Sequence, residues 1–353
     1  MRIAVLGVGL IGGSIGLAAH EHVEGVEVTG YGRDAGRLRT ALERGAIDRA
    51  AGSVEEALVG AEICFACAPV GALPGLLRTA LAAAGPDCVV TDVGSTKQGL
   101  LEGIDDERFV GGHPIAGAET AGVEHARSDM FQGAVWYLTP LPRSGGLLYE
   151  RLHRFVMAVG ARPVAVDPAT HDGLVAVFSH LPHVLANVLA SQAAARLADH
   201  GEALRQVGPS FRDMTRVAGA NTDVWTDIYR ANSGAIAEEI GAFRSELERV
   251  ERLLADGDVA AWNDRARADR RALLEPDAGG APVHELRLTV PNKPGIVAQV
   301  ALELGRSGVN IVDLALAPAA DMRSGAMTLW IAADEAGRAT ELIDKLGFPV
   351  AEQ

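Results

Sequence analysis

Three groups of residues in this sequence are of types and at spacings that could do chemistry. The first is His113, in Gly111-Gly112-His113-Pro114-Ile115-Ala116-Gly117-Ala118-Glu119, directly after the apolar pair Phe109-Val110. Its imidazole titrates near neutral pH and can take or give a proton, and the glycines around it allow a sharp turn or a close approach of backbone to ligand. The second is Ser95, in Asp92-Val93-Gly94-Ser95-Thr96-Lys97, whose hydroxyl either faces a ligand or caps the next helix. The third is the pair Arg212 and Arg216, in Phe211-Arg212-Asp213-Met214-Thr215-Arg216-Val217. Four residues apart, they share one face of a helix and could meet a carboxylate through the bidentate guanidinium fork. A lone loop histidine is more often a hydrogen-bonded surface residue, and paired arginines more often a solvated face. Their weight therefore depends on the elements that carry them.

Residues 2–6 read as a buried strand, followed by Gly7-Val8-Gly9-Leu10-Ile11-Gly12-Gly13-Ser14 and an apolar helix to about His20. This is GxGxxG between a strand and a helix. There the first glycine makes the turn, the second admits a pyrophosphate and the third lets helix and strand pack. The phosphates belong on the helix N-terminus, so Gly7, Gly9, Leu10, Ile11 and Gly12 are the expected cofactor contacts. The second strand covers residues 26–31. The acid that would hold a ribose hydroxyl of NAD is absent there, since Gly32 occupies the position and Arg33 and Asp34 follow. Arginine suits a 2′-phosphate, so the reading leans to NADP over NAD. The α/β alternation continues with a helix near 54–59, a strand 63–68, a helix 73–84 and a strand 88–92. Further strands are expected at 108–111, 133–139 and 162–166. Ligands of an open parallel sheet bind at the carboxyl ends of its strands, which puts Ser95 and His113 on the cofactor edge.

From residue 169 the pattern turns helical. Leu174, Val177, Phe178, Leu181, Leu185, Val188 and Leu189 fall at helical spacing, and Val175, Val184 and alanines make that helix apolar nearly all round, as in a bundle or between subunits. It carries His171, His180 and His183, with a kink expected at Pro182. The histidines lack a third ligand of suitable spacing, so no metal is expected. Ile236, Ile240, Phe243, Leu247, Val250 and Leu254 mark another long helix. Residues 275–282 are a linker by composition. The remainder reads βαββαβ, a ferredoxin-like arrangement with no acid–base set, which points to binding. The expected domains are 1–168, 169–275 and 283–353.

With 46 acidic against 32 basic residues the net charge is −14, which argues against nucleic acid or an anionic membrane as partner. No apolar run reaches a membrane span, and the N-terminus enters a strand at once, so neither signal peptide nor membrane segment is expected. Three cysteines suit a reducing cytoplasm. Cys64 and Cys67 form a CxxC inside an apolar run, read as strand packing.

Taken together, the glycine motif with Ser14, Asp92-x-Gly94-Ser95-x-Lys97, His113-Pro-Ile-Ala-Gly-Ala-Glu119, Ser179-His180-Leu-Pro-His183 and Phe211-Arg212-Asp213-x-Thr215-Arg216 resemble the prephenate/arogenate dehydrogenases of tyrosine biosynthesis. Five motifs in order are specific, and they cover about the first 275 residues. The tail, with Pro291-Asn292-Lys293-Pro294-Gly295 and Asn310, resembles an ACT domain. The resemblance implies a Rossmann-type domain, an all-helical dimerisation domain and an ACT domain. It implies a homodimer, prephenate or arogenate as substrate, and tyrosine as the natural effector, held by Asn292, Gly295 and Asn310. It also implies that His113 accepts the substrate hydroxyl proton, Ser95 orients it and the nicotinamide, and Arg216 binds the side-chain carboxylate. His183, Glu119 and His171 would line the pocket, in a cleft between domains, with Arg212 and Asp213 in support. The sequence departs from the pattern at Gly208-Pro209-Ser210, where relatives carry a glycine run, and at the missing acid. A dehydrogenase of the 3-hydroxyacid type would not account for the His113 segment or the arginines. A catalytically retired sensor would not need Ser95, His113 and Arg216 together.

Overall fold

The computed structural model describes all residues except Glu119, 201–206, Asp258, 275–282, Asn292, 319–323, Pro349 and 351–353. The expected linker and two expected site residues, Glu119 and Asn292, thus lie outside the described residues. The chain runs β1 (Arg2–Leu6), α1 (Leu10–His22), β2 (Glu27–Tyr31), α2 (Ala35–Glu43), β3 (Arg49–Ala50), α3 (Val54–Ala57) and β4 (Ile63–Ala66). It continues with α4 (Leu73–Ala83), β5 (Val89–Asp92), α5 (Gln98–Leu101), β6 (Val110–Pro114), β7 (Val135–Pro140), α6 (Gly146–Ala158) and β8 (Arg162–Ala165). Five parallel strands lie in the order β3-β2-β1-β4-β5. Strands β6-β7-β8 form a second sheet, antiparallel then parallel, which meets the first through a parallel bridge from Phe109 to Val90. Strand order reverses between β1 and β4, where an open α/β sheet takes its ligand.

Burial on both faces explains the nearly unbroken apolar strands. On β1, Ile3 and Val5 join one core with Phe65, Val89 and Ile15, while Ala4 and Leu6 join the other with Leu73, Leu77 and Phe109. Cys64 belongs to β4 and Cys67 lies just past it; both are free, and burial pushes their thiols up. Helix α6, which no motif announces, buries Tyr149, Leu152, Phe155 and Val156.

Two compact units divide the chain: residues 1–172, 222–231 and 283–353 in one, and 173–221 and 232–282 in the other. The helical run from residue 168 is α7 (Pro168–Val175), a π-turn over Ala176–His180, and α8 (Leu181–Leu197). A π-turn thus precedes Pro182, which sits in the first turn of α8, where a missing N–H is tolerated. Contrary to expectation, this run is long and apolar enough, by length and composition, to cross a membrane. Histidines and an asparagine interrupt its apolar residues without making the run polar overall, and core helices of soluble proteins share that length and composition.

The second unit adds α9 (Pro209–Thr215), while α10 (Thr222–Ala231) belongs to the first. Helices α11 (Ser233–Asp256) and α12 (Ala260–Leu274) complete the helical part of the chain. Within the second unit Val177, Phe178, Val188, Leu247 and Leu254 are exposed.

The C-terminal stretch is β9 (Val283–Pro291), α13 (Ile296–Arg306), β10 (Ile311–Pro318), β11 (Ser324–Ala332) and α14 (Ala336–Lys345). Its antiparallel sheet runs β10-β11-β9, with Val350 bridged to Leu288 beyond β9. That is the strand order a βαββαβ chain forms when its last strand returns beside its first. These residues are packed onto the dinucleotide region. The Gly295 N–H donates to the Ser144 carbonyl at 2.9 Å, and a Cβ on Gly295, at φ +83°, would lie 1.8 Å from the Pro142 carbonyl oxygen. Arg306 Nε lies 3.2 Å from Asp167 Oδ2, and the apolar core passes without a break from Phe155 and Val156 to Val297 and Leu314.

Candidate functional site

The loop from β1 to α1 has the shape that a dinucleotide needs. A Cβ on Gly7, at φ +105°, would lie 2.1 Å from the Cys67 carbonyl oxygen, and one on Gly12 would lie 2.3 Å from the Gly7 carbonyl oxygen. A Cβ on Gly9 would meet nothing within 4 Å. Two glycines are thus demanded by the protein's own packing, and the middle one borders open space at the first turn of α1, where unpaired N–H groups and the helix dipole favour a phosphate. Leu10 and Ile11, half-buried, form that turn. Past β2, Arg33 and Asp34 are both exposed. The Asp34 carboxylate caps α2, accepting from the backbone N–H of Gly36 at 2.8 Å and Arg37 at 3.2 Å. These residues fit the phosphates of a dinucleotide.

His113 is not in a loop, as its glycine-rich surroundings suggest, but within β6, opposite Tyr137 of β7. The flanking glycines serve close packing. A Cβ on Gly112 would sit 2.6 Å from the Asp92 carbonyl oxygen, and one on Gly111 would sit 2.0 Å from Thr139 Oγ1. His113 Nδ1 lies 2.9 Å from His171 Nε2, and His171 Nδ1 lies 2.8 Å from Asp172 Oδ1. The same carboxylate accepts from the backbone N–H of Lys97 at 2.7 Å and of Gln98 at 2.8 Å. Asp172 therefore ties the first turn of α5 to the histidine pair. Ser95, half-buried on the β5–α5 loop, is not needed as a cap. His171 and Asp172 are buried, and the Tyr137 ring stands edge-on to His171 at 5.6 Å. Burial lowers the His171 pKa, and the Asp172 hydrogen bond opposes that shift.

Beneath this chain lies a fully buried ion pair. Lys97 Nζ donates to Asp92 Oδ2 at 2.7 Å and to the Gly94 carbonyl at 2.5 Å. The other Asp92 oxygen accepts from the Gly112 N–H at 3.1 Å. Burial lowers the Lys97 pKa and Asp92 opposes it. The pair fixes the end of β5 against β6 one residue before His113.

Of the expected residues, the first unit thus brings together His113 and His171, with the Ser95 loop anchored to them by Asp172. The glycine loop lies in the same unit. His183, Arg212 and Arg216 belong to the second unit. His183 is half-buried, and burial lowers its pKa. Arg212 and Arg216 do not share one face of a continuous α-helix, because α9 stops at Thr215 and Arg216 opens a 3-10 turn. Both are exposed. His180 is buried against Asn232, Nδ1 to Nδ2 3.1 Å, and among the described residues no cluster suits a metal. In the C-terminal stretch Asn310 has a buried Oδ1 without a hydrogen-bond partner.

Asp172 and the Lys97–Asp92 pair escaped the sequence reading of roles. The one signal for Asp172 is an acid beside a histidine on an otherwise apolar helix.

Known families match this arrangement. The nucleotide-binding domain of prephenate dehydrogenase matches residues 15–165, and the dimerization domain of prephenate dehydrogenase matches residues 167–264. The chain belongs to the prephenate dehydrogenase family. It is accordingly an oxidoreductase with a Rossmann-like nucleotide-binding domain and a helical dimerization domain. The prephenate dehydrogenase of Bacillus subtilis is 28% identical over 349 residues, covering 94% of this chain and 92% of its own. The crystal structure of prephenate dehydrogenase from A. aeolicus, in complex with hydroxyphenyl propionate and NAD+, superposes with a TM-score of 0.72 at 26% identity, covering 78% of this chain and 98% of that one. Synechocystis arogenate dehydrogenase follows with a TM-score of 0.64 at 26% identity, covering 78% and 99%. These solved chains are matched almost whole while they cover 78% of this chain.

Proposed function

We propose that this enzyme is a prephenate dehydrogenase, converting prephenate to 4-hydroxyphenylpyruvate and CO₂ with NAD(P). The observation that carries the reading is His113 at the carboxyl edge of the sheet, backed by a buried histidine and carboxylate, in a member of this family. The dinucleotide, held over Gly9 and the first turn of α1, supplies the acceptor for the hydride leaving C4. His113 accepts the C4 hydroxyl proton as charge develops and returns it to the same oxygen as the ring aromatises, since the product keeps a phenol there. Ser95 orients His113 and the nicotinamide. Arg216 holds the side-chain carboxylate, with His183, His171, Glu119 and Arg212 lining the substrate site and Asp213 in a supporting contact. The Gly32–Arg33 pair favours NADP, because Asp34 is engaged as a helix cap.

Arogenate, which carries an amine where prephenate has a keto group, is the second reading, favoured by the likeness to the Synechocystis enzyme. The exposed apolar residues of the second unit, Phe178 and Val188 among them, are the expected seam of a homodimer. We propose the three-domain division at residues 168 and 275. The C-terminal stretch is then an ACT domain sensing tyrosine through Asn292, Gly295 and Asn310. One assay tests the reading: prephenate and arogenate, each with NAD and NADP, with and without tyrosine. Reduction of either cofactor only with arogenate overturns prephenate as substrate, and no reduction with either acid removes the activity.

A further inference from the structure

The line from His113 through His171 to Asp172 has one consistent direction of donation, and the direction decides which nitrogen of His113 is basic. An ionised carboxylate can only accept. Asp172 Oδ1 sits 2.8 Å from His171 Nδ1, so neutral His171 carries its proton on Nδ1 and presents the Nε2 lone pair. His113 Nδ1 lies 2.9 Å from that lone pair and must donate to it. Neutral His113 then has its basic lone pair on Nε2.

We infer that His171 and Asp172 are positioning residues that hold His113 as the Nδ1–H tautomer and spread the charge it acquires. When Nε2 takes a proton, the imidazolium forms with its Nδ1–H already donating to His171 and with the Asp172 anion behind. A shift of that proton onto His171 would leave His113 neutral and place the cation against the carboxylate. The logic is that of a base oriented by a third group, with one more imidazole inserted. The ionisable groups facing His171 are His113 from β6, Tyr137 from β7, the Lys97–Asp92 pair from the β5–α5 region, and Asp172 on its own helix. Of these, Asp172 is the anion in direct contact. The backbone N–H groups of Lys97, on Oδ1, and Gln98, on Oδ2, hold that anion still, and Oδ1 is shared with the ring.

The inference rests on His113 being the base of the proposed reaction, so its test has one arm that needs no substrate. In protein labelled with 15N-histidine, the spectra of His113 and His171, assigned with His113→Asn and His171→Gln, should show both rings neutral at pH 7.5 with Nδ1 protonated and Nε2 bare. An Nε2–H tautomer at either ring, or a cationic His171, overturns the relay whatever the enzyme's substrate is. The second arm is the pH profile of Asp172→Asn with the substrate found by the cofactor assay. Removing the anion lowers the imidazolium pKa, so the acid limb of kcat/KM should move down by about one unit or more. The plateau should fall by about 10²-fold, with KM nearly unchanged. A lower plateau with the acid limb unmoved would mean that Asp172 only anchors the loop, and would overturn the charge-spreading role. If Asp172→Asn does not fold, the labelled wild-type protein decides alone.

Discussion

Replacing Lys97 by methionine should reveal how tightly the end of β5 is bound to the strand that carries His113. The methionine keeps most of the stem volume and removes the ammonium. The Asp92 carboxylate would then remain fully buried with only the N–H groups of Gly94, at 2.8 Å, and Gly112, at 3.1 Å, as donors. Stripping one partner from a buried ion pair costs about 3–5 kcal/mol, because the other charge is left without compensation. At about 2–4 °C per kcal/mol for a unit of this size, the melting temperature should fall by about 6–20 °C. Converting both residues, Lys97→Met with Asp92→Asn, removes the orphan charge and should restore most of the loss. Melts followed by circular dichroism and by calorimetry would measure all three proteins. A single variant melting within about 2 °C of the parent, or a double variant no better than the single one, refutes the reasoning, since either result means that the carboxylate is not held as an isolated buried charge.

Four further outcomes are expected. His113→Asn should lower kcat by on the order of 10²–10⁴ with cofactor affinity kept, whereas Arg216→Ala should chiefly raise KM as lost ground-state binding does; steady-state kinetics separates the two. In the glycine loop, Gly12→Ala should destabilise the fold because its methyl meets the Gly7 carbonyl at 2.3 Å, while Gly9→Ala should melt normally and bind NAD(P) more weakly; fluorescence titration and thermal melts read both.

Much of this was legible from residue spacing. Strand, glycines and helix at the N-terminus named the ligand edge, because only one backbone path uses glycine at those three places, and the apolar strands followed from burial on two faces. His113 reads from sequence as a loop residue, whereas it lies within β6. Its glycines read as a turn, while they relieve crowding against Asp92 and Thr139, a contact made by residues 20 or more positions away. Asp172 escapes notice because sequence neighbours on a helix do not ordinarily face each other, and nothing local reveals that two backbone N–H groups from residues 97 and 98 await it. The arginine pair read as one helical face because a four-residue interval looks the same whether or not the helix ends inside it, as α9 does at Thr215.

The seam beneath the C-terminal residues bears on how such an appendage is inherited and engineered. At Gly146 an added methyl would meet Leu316 at 2.8 Å and Val297 at 3.0 Å; at Gly305 it would meet the Ala165 carbonyl at 2.3 Å; at Gly295 it would meet Pro142. Three glycines on both sides of one junction make the two parts a matched lock and key, unlike beads on a string. A tail grafted from a relative would seat only if these positions travelled with it, and trimming the chain at residue 282 would strip the cover from α6 and expose apolar surface.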